Sequence, residues 1–309
     1  MNARISSLSL LSSLLFATVF ALPSVFAQDS PTPATSASKT ADWMKLKEGY
    51  DYDSHKSAEI TTEVKENSAE YVEHLEFKGL SGEKVTGLFV RPKKEGVYPL
   101  IVMLHGWTSN KDDMDKFIGP ELIKQGFAFF SLDAPDHGER KPAKQPVFSP
   151  ELWSRIHSEG IKDYRYSLGW VLKRKDVDKK HVGLLGYSMG SMMGAILASV
   201  EPRIQCAVLC VGGDIIQPNL DKFPAFKAKG DLMSPSLYIG HISPRPLLML
   251  NGTQDPTVNK AASDLLYANA KNPRDQKLYD CGHLLPKEAI VDGVTWLSEK
   301  MKSSDKKAN

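Results

Sequence analysis

One serine stands in a setting that favours nucleophilic chemistry. Ser188 is the middle residue of the pentapeptide GYSMG at residues 186–190, which directly follows the apolar run 182–185. The small residues of 191–200 come next and predict a helix. A sharp turn from strand to helix strains the serine backbone and exposes its hydroxyl, and the flanking glycines avoid clashes there. The pattern predicts that Ser188 is a nucleophile at the carboxyl edge of a sheet.

A serine hydroxyl is a weak nucleophile near neutral pH and needs a base to take its proton. Among the eight histidines, His283 lies in the stretch DCGHLLP at residues 280–286, between the last predicted strand and the last predicted helix. A loop there can reach across the sheet edge, so we expect His283 to be the base. The alternative is an ordinary loop histidine. Surface or structural roles are expected for His55, His74, His157, His181 and His241.

The imidazole of such a base needs a carboxylate that fixes its tautomer and stabilises its positive charge. Asp255 follows the apolar run 247–250 and precedes His283 by enough residues for one helix and one strand. We therefore expect Asp255 to be this acid. Asp214, which follows the apolar run 207–211, is the alternative.

Acyl transfer also needs two N–H groups that donate to the developing oxyanion, each worth about 3 kcal/mol. The residue after the nucleophile supplies one of them, the backbone N–H of Met189. The tripeptide His105-Gly106-Trp107 follows the apolar run 100–104, and we expect the N–H of Trp107 to be the second donor. Glycine at position 106 lets the backbone come close to a substrate.

A metal site is the alternative explanation for the first histidine of that tripeptide. His105 could bind a metal together with His137 and Asp136. No short-spaced set of His, Cys or carboxylate residues completes such a site, so we expect neither a metal nor another cofactor.

The loop at residues 133–140 follows another apolar run and is dense in turn and charged residues. We expect it to shape the rim of a pocket at the same sheet edge. Arg140 is expected to pair with Asp133 or Asp136 and to hold the loop together.

Short apolar runs alternate with amphipathic stretches from about residue 73 onward, which favours a mostly parallel sheet covered by helices. The predicted strands are residues 85–90, 100–104, 128–132, 182–185, 207–211, 247–250 and 277–279. The predicted helices are residues 115–125, 151–173, 191–200, 259–270 and 287–301. The expected fold class is therefore α/β, with a doubly wound, mostly parallel central sheet and helices on both faces.

Length and composition agree with one catalytic domain. The chain has 309 residues, of which 41% are hydrophobic and 25% charged, the balance of a folded globular protein. We expect the domain to span residues 46–303, with residues 212–243 forming a small cap or an irregular loop, and residues 304–309 a tail. The net charge of +2 gives no electrostatic reason to expect nucleic acid or an anionic membrane as a partner.

The first residues have the pattern of an export signal. Residues 1–27 contain Arg4, an apolar stretch of about 15 residues, and small residues ending at Ala27. A membrane span is the alternative, but it needs about 20 apolar residues. We expect cleavage after Ala27, a flexible leader at residues 28–45, a periplasmic or secreted location, and no membrane anchor once the signal is removed.

Three cysteines are too few for a disulfide framework. Cys206 and Cys210 lie in one predicted strand, about 13 Å apart at the rise of a strand, which is too far for a bridge. A bridge from Cys281 to one of them stays open, although a fold independent of disulfides is expected.

Taken together, the chain resembles the α/β-hydrolase superfamily, in particular the esterase branch similar to dienelactone hydrolases and to the catalytic domains of prolyl-oligopeptidase-like enzymes. The resemblance extends over residues 85–301 and rests on residues 105–107, 133–138, 186–190, Asp255 and residues 281–283, in the order typical of the superfamily. Two departures concern the substrate. Dienelactone hydrolases have a cysteine nucleophile where this chain has Ser188, and the chain has no room for the propeller that gates oligopeptidases.

The resemblance implies a two-step hydrolysis through an acyl-enzyme on Ser188, without a cofactor. A small-molecule ester is the expected substrate, with peptides, thioesters or lactones as alternatives. Trp107 and Tyr187 are expected to wall an acyl pocket unless they pack in the core. A hydrolase fold that only binds a ligand is the remaining alternative, although such a protein has no chemical need for the serine, acid and base. The oligomeric state is left open.

Overall fold

A computed structural model describes residues 42–53, 58–66, 70–144, 149–220 and 230–305. The expected signal at residues 1–27, most of the leader, and residues 306–309 of the tail lie outside the described residues. Helix α1 (Trp43–Glu48) begins within the last residues of the segment expected to be a flexible leader, and the Asp42 carboxylate caps it by accepting from Met44 N–H.

Nine strands form one sheet in the described part of the chain. They are β1 (Thr61–Glu66), β2 (Glu70–Lys78), β3 (Lys84–Pro92), β4 (Tyr98–Leu104), β5 (Ala128–Leu132), β6 (Val177–Tyr187), β7 (Cys206–Cys210), β8 (Leu247–Gly252) and β9 (Arg274–Tyr279). Their order is β1-β2-β3-β5-β4-β6-β7-β8-β9. The pairs β1-β2, β2-β3 and β3-β5 are antiparallel. The pairs β5-β4, β4-β6, β6-β7, β7-β8 and β8-β9 are parallel. The predicted mostly parallel, doubly wound sheet is confirmed.

Seven further helices within the described ranges connect or cover the strands. They are α2 (Lys111–Phe117), α3 (Gly119–Lys124), α4 (Pro150–Val171), α5 (Met189–Val200), α6 (Gly230–Met233), α7 (Lys260–Asn269) and α8 (Lys287–Asp305). The single helix predicted at residues 115–125 is two helices that meet at Ile118. The first begins earlier because the Asn110 side chain accepts from the N–H groups of Asp112 and Asp113.

Strands β1 and β2 were not predicted from the sequence. About half of their side chains are charged, and β1 lies at the edge of the sheet with exposed residues along it. Its antiparallel register on β2 pairs Thr61 with Glu76 and Glu66 with Tyr71. Charged residues on an edge strand protect it from pairing with other chains, and they also remove the apolar signal by which a strand is recognised.

Strands β3 to β8 are largely buried on both faces, as parallel sheets usually are. Helices α4 and α5 cover one face, where Trp153, Leu184 and Ile196 belong to one apolar cluster. Helices α2, α3 and α8 cover the other, where Met103, Leu185 and Leu297 belong to a second cluster. Every residue of α5 is buried, so the helix that follows the GYSMG turn is held firmly against the sheet.

The described parts of the expected cap, residues 212–220 and 230–243, form short helical turns. Asp214 organises them, because its buried carboxylate accepts from Ile216 N–H and from the hydroxyls of Ser234 and Ser236. The ring of Trp43 in α1 stacks on His241 at 3.7 Å, so the start of the described chain packs on this segment.

Two further findings concern the helices and the cysteines of the described residues. None of the helices within the described ranges is long and apolar enough to cross a membrane. All three cysteines lie in the described part and carry free thiols; Cys206 and Cys210 are buried, and Cys281 is partly exposed.

One buried histidine makes stability depend on pH. His157 is fully buried in α4, contacts the Trp153 ring, and donates from Nδ1 to the Trp153 carbonyl at 3.0 Å. Burial lowers the pKa of His157 from 6.5 to about 4, so the folded protein resists protonation more than the unfolded chain does.

We predict that the contribution of His157 to the free energy of unfolding falls as the pH drops from 6.5 to 4, since the unfolded chain gains the proton first. The part due to His157 is at most roughly 3 kcal/mol. Urea unfolding of the protein and of His157→Phe across this range measures it, and the variant is expected to have the shallower dependence. Equal slopes for the two proteins would contradict the assignment.

Candidate active site

Ser188 occupies a strained turn between β6 and α5. Its φ of 55° and ψ of −116° are unusual for a residue with a side chain. A Cβ on Gly186 would lie 2.2 Å from the carbonyl oxygen of Gly190, so only glycine fits at position 186. The N–H of Ser188 donates to the carbonyl of Cys210 at 2.9 Å, which fixes the turn to β7. The predicted sharp strand-to-helix turn is therefore present.

The three side chains singled out from the sequence meet in one hydrogen-bonded line. His283 Nε2 lies 2.8 Å from Ser188 Oγ, and His283 Nδ1 lies 2.7 Å from Asp255 Oδ2. The second carboxylate oxygen of Asp255 accepts from the N–H groups of Thr257 and Val258. All three side chains are buried. This arrangement can move a proton from the hydroxyl to the imidazole while the carboxylate holds the ring.

Asp214, the alternative acid, does not reach this line. Both of its carboxylate oxygens are used inside the segment that follows β7, by Ile216, Gln217, Ser234 and Ser236. It therefore holds a loop, and Asp255 is the carboxylate that contacts His283.

Tyr187 fixes the loop that carries His283. Its hydroxyl donates to the His283 carbonyl at 3.0 Å and accepts from Leu285 N–H at 3.0 Å. The backbone of β8 approaches the same loop closely, since a Cβ on Gly252 would lie 2.3 Å from the carbonyl oxygen of Gly282. These contacts determine where the imidazole stands.

The tripeptide 105–107 lies against the GYSMG turn. A Cβ on Gly190 would lie 2.3 Å from the carbonyl oxygen of Leu104 and 2.6 Å from that of His105, so the two backbones are in direct contact. Met189 is the first residue of α5, and first-turn N–H groups have no partner within their own helix. The segment that carries Trp107 thus lies beside the N-terminus of α5.

The residues considered for a metal have other partners. His105 and His137 contact backbone atoms, and Asp136 is paired with Arg155. In the part of the chain that the structure describes, no group of three or more His, Cys, Asp or Glu side chains is placed to hold a metal ion.

A buried ion pair anchors the loop at residues 133–140. Lys111 Nζ lies 3.0 Å from Asp133 Oδ2, and both side chains are completely buried. Burial alone would raise the pKa of Asp133, but the charge of Lys111 and the hydrogen bond from Thr86 outweigh it and lower the pKa below 3.8. A Cβ on Gly138, whose φ is +54°, would lie 2.1 Å from the Asp133 carboxylate, so glycine is required there.

Arg140 does not make the pairs expected from the sequence. It donates to the backbone carbonyl of Asp133 at 3.0 Å, and it forms ion pairs with Asp163 of α4 at 2.9 Å and with Glu83 at 3.7 Å. Burial raises the pKa of Asp163 to about 6, although the charge of Arg140 opposes this. Arg140 therefore holds the loop in place by linking it to α4.

A small, largely apolar cleft that is open to solvent lies beside the site. It is lined by Gly106, Ser109, Asp113, Met114, Phe117, Tyr187 and Leu284. Tyr187 thus faces the cleft as expected, whereas the ring of Trp107 packs against His137 and Trp153. The contribution of Met114 and Phe117 was not predicted from the sequence: Met114 lies before the predicted start of the helix at residue 115, and Phe117, which lies within it, was not assigned to a pocket.

Sequence comparisons find similarity to hydrolases and esterases. Residues 99–229 match the family profile described as alpha/beta hydrolase fold. YtaP of Bacillus subtilis, named as a hydrolase, is 28% identical over 219 residues, which are 63% of this chain and 73% of YtaP. YitV of the same organism, named as an esterase, is 23% identical over 251 residues, or 72% of this chain and 97% of YitV.

Solved structures show the same fold. Acetyl xylan esterase 1 from Thermoanaerobacterium sp. superposes with a TM-score of 0.68 at 18% identity, over 84% of this chain and 94% of that one. A cold-adapted esterase from an Arctic intertidal metagenomic library gives a TM-score of 0.64 at 18% identity, over 78% of this chain and 99% of its own. The chain therefore has the α/β-hydrolase fold and is similar in sequence to proteins named as hydrolases and esterases.

Proposed function

We propose that the protein is a serine hydrolase that cleaves carboxylic esters through an acyl-enzyme on Ser188. The observation that carries the proposal is the line from Ser188 Oγ through His283 to Asp255, with contacts of 2.8 and 2.7 Å. His283 takes the hydroxyl proton as Ser188 attacks the acyl carbonyl, and returns it to the departing alcohol. Water, activated in the same way, then releases the acid.

The negative charge that forms on the carbonyl oxygen needs donors already in place. In the proposed mechanism these are the N–H groups of Met189 and Trp107. Support comes from the direct contact between the Gly190 backbone and that of Leu104 and His105, which brings the two donor segments together. The N-terminus of α5 adds a favourable field for an anion.

Small-molecule esters suit the cleft best. Its walls are Met114, Phe117, Tyr187 and Leu284, which offer apolar surface to an acyl or alcohol group. The relatives named as esterases favour the same substrate class. Peptides, thioesters and lactones can be cleaved by the same arrangement and are the alternative substrates. A protein that only binds a ligand would not need the aligned serine, imidazole and carboxylate.

Replacing the nucleophile tests the proposal directly. We predict that the protein hydrolyses p-nitrophenyl esters and that Ser188→Ala lowers kcat by at least about 10³-fold, because the acyl-enzyme cannot form. Rates are measured for acetate, butyrate and octanoate esters. Ser191→Ala, which removes a neighbouring buried hydroxyl outside the line, is the matched control and should keep most activity. Full activity in Ser188→Ala would refute the nucleophile, and an inactive parent protein would refute the ester substrate.

Two aspartates distinguish the proposed acid from its alternative. Asp255→Asn is expected to lower kcat roughly 10³- to 10⁴-fold, since the amide no longer favours the productive tautomer of His283. Asp214→Asn should change kcat less than about tenfold and should mainly lower the melting temperature, because Asp214 holds a loop. Circular dichroism confirms folding of each variant before its rate is measured. The reverse order of the two losses in kcat would identify Asp214 as the acid.

We also propose that the protein is exported and that its signal is removed after Ala27, based on the charged and apolar pattern of residues 1–27. We expect the protein recovered from a secretory bacterial host to begin at Gln28 and to lie in the periplasm or medium. N-terminal sequencing and cell fractionation measure both. A full-length chain retained in the cytoplasm would contradict the proposal.

A further inference from the structure

The peptide bond between Gly106 and Trp107 is held by its carbonyl. Gly106 C=O accepts from His105 Nδ1–H at 2.7 Å and from Ser109 N–H at 3.2 Å. In a trans peptide the carbonyl and the following N–H point in opposite directions. The donors that orient Gly106 C=O therefore also set the direction of the Trp107 N–H.

The protonation of His105 is set by a second contact. Its Nε2 accepts from the N–H of Ala134 at 2.9 Å, so the ring proton resides on Nδ1 and is available to Gly106. The ring is completely buried, and burial, together with the nearby His137, lowers the pKa of His105 to about 3. His105 is therefore neutral and keeps one tautomer across the physiological range.

A second histidine reaches the other side of Trp107. His137 Nε2 contacts the Trp107 carbonyl, and the rings of the two residues meet edge to face at 5.4 Å. His137 Nδ1 lies 2.7 Å from the Pro135 carbonyl. Since carbonyls only accept, a neutral ring with its proton on Nε2 donates to Trp107, and a protonated ring donates to both.

Both contacts start from the loop after β5. Ala134 and His137 belong to residues 133–140, which the buried pair of Lys111 and Asp133 anchors. The backbone of Trp107 is thus held from both sides by a loop that is itself fixed in the core.

We propose that His105 and His137 are positioning residues that hold the backbone of Trp107 so that its N–H donates to the oxyanion of the tetrahedral intermediate. The inference rests on the proposed ester hydrolysis and names the groups that prepare one of its two donors. Neither histidine touches the reacting atoms. A donor that is fixed before reaction stabilises the transition state, whereas a donor that must reorient does so less.

The test compares His137→Phe, which keeps a ring against Trp107, with His137→Gln, which keeps an N–H donor. For short p-nitrophenyl esters, we expect kcat/KM of the Phe variant to fall about 10- to 100-fold, mostly in kcat. The inhibition constant of an alkyl trifluoromethyl ketone, whose adduct on serine carries an oxyanion, should rise by a similar factor. The Gln variant should recover part of both losses. His181→Gln, on β6 away from the loop, is the control.

Several results would overturn the proposed role of His105 and His137 in positioning the Trp107 N–H. One is a His137→Phe protein that keeps kcat/KM within twofold of the parent. Another is a loss of kcat/KM without weaker ketone inhibition, which would place the effect outside the oxyanion. If the Phe variant does not fold, His137→Ala decides the case by the same two measurements. A parent protein without esterase activity would overturn the proposed function itself. That outcome is distinct from failure of the positioning role, which requires an active parent protein.

Discussion

The backbone crowding around Ser188 is the constraint on which the site depends. A Cβ on Gly186 would overlap the backbone of Gly190, and a Cβ on Gly190 would overlap that of Leu104. Ser188 between the two glycines adopts a strained conformation. Strain of this kind costs on the order of 1–3 kcal/mol and persists only where the surroundings enforce it. Here the parallel pairing of β6 with β7 and the complete burial of α5 supply that enforcement. The hydroxyl is presented to the sheet edge as a consequence of packing.

Two other loops contact the residues that flank Ser188. The loop that carries His283 is tied to Tyr187, the residue just before the nucleophile, so movement of one is coupled to the other. The segment that carries Trp107 is tied to Gly190 on one side and to the loop after β5 on the other. Proton transfer and charge stabilisation require such fixed relations, because a misplacement of about 1 Å can cost about 10²-fold in rate.

Much of the site could be predicted because its residues follow strands of one parallel sheet. Ser188 and Asp255 come after apolar runs and His283 follows the last predicted strand, and the carboxyl ends of parallel strands share one edge, so their proximity followed from the pattern. The pair of Lys111 and Asp133 could not be predicted, since a lysine is rarely buried and only the tertiary structure supplies its partner. The early start of α2 had a signal in Asn110 followed by two acidic residues, which is typical of a helix N-cap.

In the proposed mechanism, Ser188 attacks an acyl carbon whose oxygen accepts from the N–H groups of Trp107 and Met189. A crystal structure of the protein inactivated with a short alkyl fluorophosphonate would show this geometry, because the adduct resembles the tetrahedral intermediate. We expect phosphorus bonded to Ser188 Oγ, with its oxygen about 2.7–3.1 Å from both backbone nitrogens. An adduct on another residue, or an oxygen directed away from both nitrogens, would contradict it.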